Sequence, residues 1–126
     1  MKFHHVGIAC KNIEEEIAGI SKINTIIKQS PIFFDKEQNA LLVLLTLSDG
    51  TQIELISGKQ VETLLKKNIT YYHLCFEVDD INAEIDRLVS GGAFLISPPK
   101  PAILFDHREV AFLNVSYGMI ELLNSK

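Results

Sequence analysis

Between Phe3 and Ala9 the chain alternates: Val6 and Ile8 share one parity, and His5, Gly7 and Ala9 share the other, the period of a strand. At Asn12 the period changes. Ile13, Ile17 and Ile20 fall at i, i+4 and i+7 and form one stripe of a helix over Asn12–Ile20. Asn12 is suited to cap that helix, and Glu14 and Glu15 fall in its first turn, where the dipole favours acids. Three strands are predicted next, at Asn24–Ser30, Ala40–Leu47 and Thr51–Ile56; the last two flank Ser48-Asp49-Gly50, a hairpin signal. A helix near Gln60–Lys67 turns Val61, Leu64 and Leu65 inward. The order then recurs. Tyr72–Val78 reads as a strand, Asp80 as a cap, and Ile81, Ile85 and Leu88 as a stripe that Gly91-Gly92 ends. Strands at Ala93–Ser97, Glu109–Val115 and Met119–Leu123 complete the series, with Tyr117-Gly118 as the last turn. Pro98-Pro99-Lys100-Pro101 is predicted to be a stiff loop, since proline brings no ladder donor.

This recurrence is visible residue by residue. A shift of 68 positions carries His5 onto His73, Asn12 onto Asp80, Ile13 onto Ile81, Glu16 onto Glu84, Ile17 onto Ile85, Ile20 onto Leu88 and Gly50 onto Gly118. Glu54 then falls on Glu121 with the shift slipping to 67. The pattern therefore predicts one α+β domain over 1–126, made of two tandem βαβββ units at about 1–58 and 70–124, with the connecting helix at about 59–67.

Composition narrows the function classes. The chain has 126 residues, 47% of them apolar, and a net charge of -4. That charge offers no basic field for a phosphate backbone, so no nucleic-acid partner is expected. Two cysteines, Cys10 and Cys75, are too few for a disulfide framework and read as reduced thiols. No signal-peptide pattern and no apolar run of spanning length is present, so a cytoplasmic protein with no membrane partner is expected.

Strand parity singles out four residues. Val6 with Ile8, Leu74 with Phe76, Ile53 with Leu55, and Ile120 with Leu122 are predicted to lie under the helices. His5, Glu54, His73 and Glu121 then point to the opposite face, one His and one Glu from each half. A single strand His reads first as a core residue, and a single strand Glu as part of a solvated face. The same pair twice, at equivalent positions, makes a shared cation site an equal reading. Two imidazoles and two carboxylates suit Zn, Co, Ni, Mn or Fe(II). Cys75, beside His73, reads as a packing residue, His4 as structural, and His107 as a surface residue.

At His5-Val6-Gly7-Ile8-Ala9, Gln52-Ile53-Glu54-Leu55, Tyr72–Val78 and Met119-Ile120-Glu121-Leu122 the sequence resembles the vicinal oxygen chelate superfamily, the glyoxalase/bleomycin-resistance/dioxygenase proteins. The run Pro101–Leu123, with Arg108-Glu109-Val110-Ala111-Phe112-Leu113, resembles the C-terminal segment of its short members. The resemblance implies a curved mixed sheet around a metal cleft, with a divalent metal held by His5, Glu54, His73 and Glu121. It implies an isomerase or epimerase moving a proton beside a carbonyl, similar to the methylmalonyl-CoA epimerases. The alternatives are a lactoylglutathione lyase of the glyoxalase type and a non-catalytic small-molecule binding or resistance protein. Glu121 and Glu54 are then the candidate proton carriers, and Glu37 is the position nearest to a further acid of family epimerases. Lys100 and Arg108 are candidate anchors for the anionic part of a small-molecule substrate, an acyl-CoA or a glutathione adduct. Curved sheets with exposed edges associate, so a homodimer is expected.

Overall fold

The structure, a computed structural model, describes residues 1–125. It divides into two compact units, His5–Tyr72 and Met1–His4 together with the segment from His73 onward. Strand β1 runs over Lys2–Ala9 and helix α1 over Ile13–Ser21. They are followed by β2 (Ile26–Gln29), β3 (Phe33–Asp35), β4 (Ala40–Leu47) and β5 (Gln52–Gly58). A single 3-10 turn at Lys59–Val61 leads into the short helix α2 (Glu62–Lys66). The second unit contains β6 (Tyr71–Val78), α3 (Ile81–Ser90), β7 (Phe94–Pro101), β8 (Glu109–Val115) and β9 (Gly118–Asn124).

In the first unit the strand order is β2-β4-β5-β1, with β3 also pairing β4. β1 and β5 run parallel and the other pairs antiparallel. The Asn12 side chain accepts the Glu15 N–H at 2.9 Å and starts α1. Its stripe, Ile13, Ile17 and Ile20, packs with Val6, Ile8, Val43, Leu45, Leu47, Ile53 and Leu55. Of these, Val6, Ile8, Ile53 and Leu55 are the residues that alternation assigns to the helix side. The expected strand at Asn24–Ser30 is shorter, and a second segment, β3, lies along the same neighbour. Pro31 accounts for the break. Beside it the Ser30 hydroxyl takes the place of a backbone carbonyl, accepting the Leu44 N–H at 2.9 Å. At the β4–β5 turn Asp49 accepts the Thr51 N–H at 3.0 Å. Hydrogen bonds from the Thr51 backbone and side chain hold the Asp49 carboxyl below its usual pKa.

In the second unit the order is β6-β9-β8-β7, with β6 and β9 parallel. Asp80 caps α3 by accepting the Ala83 N–H at 3.1 Å. Ile81, Ile85 and Leu88 pack with Leu74, Phe76, Val78, Ala111, Leu113, Ile120 and Leu122. Here the expected proline loop is corrected: Pro98–Pro101 belongs to β7. β7 is an edge strand paired only to β8, and its register is irregular between Leu95 and Ser97 and again between Ser97 and Lys100. Prolines are tolerated on an edge, where no second neighbour needs the missing N–H. The shift slips from 68 to 67 because of a turn. Thr46 pairs with Gln52 across five intervening residues, whereas Asn114 pairs with Met119 across four. Among the described residues no helix is long and apolar enough to cross a membrane.

Candidate metal centre

In the first unit, His5 stands on β1 and Glu54 on the parallel neighbour β5, where Glu54 pairs with Gly7. His5 is two residues before that partner, so its ring reaches diagonally to the carboxylate. The His5 Nε2 lies 3.0 Å from Glu54 Oε1. In the second unit Glu121 on β9 pairs with Cys75 on β6, and His73 is again two residues before the partner. The His73 Nε2 lies 3.2 Å from Glu121 Oε1. One diagonal thus builds both contacts.

All four side chains leave water: His5 is 0% exposed, Glu54 5%, His73 5% and Glu121 4%. A buried carboxylate is costly unless a charge or hydrogen bond compensates it. In the first unit the His5 imidazole meets that need, and in the second the His73 ring lies against the Glu121 carboxylate. With the N–H on Nε2 the His5 contact is a hydrogen bond to Glu54; with the N–H on Nδ1, Nε2 of either ring offers a lone pair to a cation beside the neighbouring carboxylate. Each pair therefore supplies one nitrogen and one oxygen ligand atom, a donor set that fits a borderline divalent ion such as Zn, Co, Ni, Mn or Fe(II). The ring of Phe112 meets His73 edge to face, at 5.5 Å between centroids and 82° between planes. This contact fixes the imidazole plane from its own unit.

The remaining candidate residues fall elsewhere in their units. Arg108 is half-buried, and its guanidinium forms an ion pair with Glu77 while its Nε donates to the Asn124 carbonyl at 2.8 Å. Sequence reading assigned no partner to Arg108; the shared parity of Glu77 with His73 and Cys75 was the available signal. Lys100 is exposed on the edge strand β7, opposite Val110. Glu37 is exposed in the β3–β4 turn, its N–H donating to Asp35 at 3.0 Å. Leu44 is the partner of Glu54, and the start of β4 at Ala40 lies about 13 Å of strand away. Cys75 is fully buried. The His4 ring lies edge to face on Phe105 at 5.6 Å, and His107 is exposed. Cys10, at the end of β1, is buried, and its thiol pKa is pushed up to about 11, chiefly by burial and then by the nearby Glu16 charge.

The two βαβββ halves and the His–Glu pair repeated on the helix-free face of each define a class. The chain belongs to the glyoxalase/bleomycin resistance protein/dioxygenase superfamily, whose family model matches residues 4–112. Within it, the chain is similar to an ethylmalonyl-CoA/methylmalonyl-CoA epimerase of Cereibacter sphaeroides, with 29% identity over 119 residues, 90% of this chain and 87% of that one. It is also similar to a mitochondrial methylmalonyl-CoA epimerase of Dictyostelium discoideum, at 27% identity over 90% of this chain and 70% of that one. The crystal structure of methylmalonyl-CoA epimerase from Mycobacterium tuberculosis shares the fold, with a TM-score of 0.83 at 21% identity, covering 99% of this chain and 88% of that one.

Proposed function

We propose that this chain is a divalent-metal-dependent epimerase that moves the proton beside the carbonyl of a small acyl-CoA. His5, Glu54, His73 and Glu121 together are the ligands of one ion in this reading. The observation that carries it is the buried His–Glu pair that recurs on the same diagonal in both units. The two epimerase relatives support the choice of reaction.

His5, Glu54, His73 and Glu121 would hold a divalent ion, which would supply positive charge to stabilise the negative charge that develops as the proton beside the carbonyl leaves. The chain's own groups do the rest. Epimerisation takes a proton from one face of a carbon and returns one to the other face, so two bases serve it better than one. Glu54 and Glu121 are such a pair, one from each unit. One carboxylate takes the proton while the other, which would be off the ion when protonated, returns one; the reverse reaction exchanges their roles. His5 and His73 orient the carboxylates through their 3.0 and 3.2 Å contacts. Burial of all four keeps bulk water from the carried proton while substrate is bound, and between turnovers the carboxyl groups equilibrate with solvent, which is how solvent deuterium reaches the substrate.

The test follows solvent deuterium entering the α-position of methylmalonyl-CoA. Wild-type protein is expected to exchange it, and Glu121→Gln to lose exchange by at least about 100-fold with an unchanged circular dichroism spectrum. Full exchange in Glu121→Gln rejects its role as proton carrier. Turnover of the hemithioacetal of methylglyoxal and glutathione, with none of the acyl-CoA, replaces the epimerase reading with a lyase.

A further inference from the structure

Strand β2 contains a bulge that changes what its lysine faces. Ile26 pairs with Leu47 and packs into the core beneath α1. In a regular strand Lys28, two residues on, would share that helix-covered side. Instead Lys28 pairs with Thr46, the immediate neighbour of Leu47, and Ile27 is the extra residue. A bulge of this kind re-aims the side chain that follows it. Thr46 lies on the side opposite α1, because Leu45 and Leu47 occupy the core side. Lys28 is thus turned onto the side that carries His5 and Glu54.

On that side Thr46 pairs in turn with Gln52, which gives the cross-strand row Lys28, Thr46, Gln52. Glu54 follows Gln52 by two residues on the same side of β5. Adjacent strands are about 4.8 Å apart, so a lysine side chain spans the distance over Thr46 toward Gln52. The row offers an ammonium, a hydroxyl and a carboxamide beside the ligand pair. A lysine that only discourages edge-to-edge pairing needs no particular side of the sheet. The bulge costs regular ladder pairing, and its effect is to bring this ammonium to the ligand side.

We infer that Lys28, with Thr46 and Gln52 beside it, forms an oxyanion subsite in the first unit and makes the protein selective for acyl substrates that carry a carboxylate. The identity of that substrate as an acyl-CoA acid rests on the function proposed above. Lys28 acts as a specificity-determining residue: its charge and N–H donors meet the carboxylate, and Thr46 and Gln52 supply further polar contacts.

Calorimetric titration of the full chain tests this with two probes, malonate for the carboxylate and free CoA for the phosphates. Malonate is expected to bind at least about tenfold more weakly to Lys28→Gln than to wild type, and within about threefold of wild type to Lys28→Arg, with CoA affinity unchanged in both. Equal malonate affinity in Lys28→Gln overturns the subsite, as does a loss confined to CoA or an absence of malonate binding to wild type. Binding needs no turnover. Lys28-dependent malonate binding by a protein that exchanges no α-proton of methylmalonyl-CoA refutes the epimerase reading and leaves the subsite standing.

Discussion

On the helix-free side of the first unit, the row next to the His5–Glu54 pair reads Gln52, Thr46, Lys28. The corresponding row of the second unit reads Met119, Asn114, Phe94. One row further on, Glu54 pairs with Leu44, and Glu121 with Phe112. The two units therefore keep the same His–Glu pair and differ beside it: a carboxamide, a hydroxyl and a cation in one, a thioether, a carboxamide and aromatic rings in the other, with Phe94 71% exposed. The source of the difference is the edge strand. In β2 the bulge falls opposite Thr46 and Leu47, whereas the first irregularity in β7 falls opposite Phe112 and Leu113, two positions away in the repeat. The His–Glu diagonal depends only on parallel pairing of the first and last strands, which packing under a helix enforces. An edge strand has one neighbour and can shift its bulge without disturbing the core. The His–Glu pairs are thus held in the constrained strands, and the side chains beside them vary at the edges.

The largest expected effect tests whether the equivalent pairs serve one ion. Metal analysis of the purified protein is expected to give a single divalent ion per chain. His5→Ala and His73→Ala should each lower its affinity by more than about 100-fold, since each removes a ligand and leaves the other unit's pair insufficient. Two ions per chain, with one retained in each single variant, would mean that each unit holds its own, and the joint site would be lost.

A second comparison sets Gly58, which has no glycine counterpart in the second unit, against Gly118, which the repeat matches with Gly50. Gly58 ends β5 with φ at +127°, and a Cβ there would meet the Asn39 carbonyl oxygen at 2.6 Å and the Ala40 Cα at 3.0 Å. Gly118 opens β9 with φ at +131°, but a Cβ there would meet nothing within 4 Å. Gly58→Ala is expected to destabilise by about 3 kcal/mol or more, from strain and backbone displacement together. Gly118→Ala should cost only the strain, about 1–2 kcal/mol. Urea denaturation measures both; equal costs would show that the β3–β4 turn yields to the added methyl.

The positions that proved legible in the sequence are those governed by a single period. Asn12 and Asp80 cap the helices, the isoleucine stripes face the core, and alternation placed Val6, Ile8, Leu74 and Phe76 under the helices. The burial of His5, Glu54, His73 and Glu121 agrees with that parity. What stayed hidden depends on exceptions to period. Nothing in Ile26-Ile27-Lys28 announces a bulge, so the lysine's side could not be read from its parity. The prolines of Pro98–Pro101 argued against a strand because propensity does not distinguish an edge from a centre. The pairing of Arg108 with Glu77 joins residues 31 positions apart, beyond any local pattern.

The smallest effect isolates one difference in the cores. The repeat shift that carries His5 onto His73 carries Cys10 onto Val78, and both are buried, at 3% and 4% exposure. Only the first unit thus has an ionisable group at this core position. The Cys10 thiol pKa is raised from 9.0 to about 11, by burial first and by Glu16 second. Below pH 9 the thiol is protonated in both folded and unfolded chains, and stability is indifferent to it. Between pH 9 and about 11 the unfolded chain releases the proton while the folded chain keeps it, so stability falls as pH rises through that window. Cys10→Val copies the second unit's solution and removes this dependence. Its urea midpoint should match wild type closely at pH 8 and exceed it progressively from pH 9 to 11, which subtracts the titration of lysines and tyrosines common to both proteins. In the same window the native thiol should react with disulfide reagents far more slowly than the unfolded one. A gap in midpoint that stays constant with pH would show that Cys10 is, in energetic terms, no different from the valine that replaces it in the second unit.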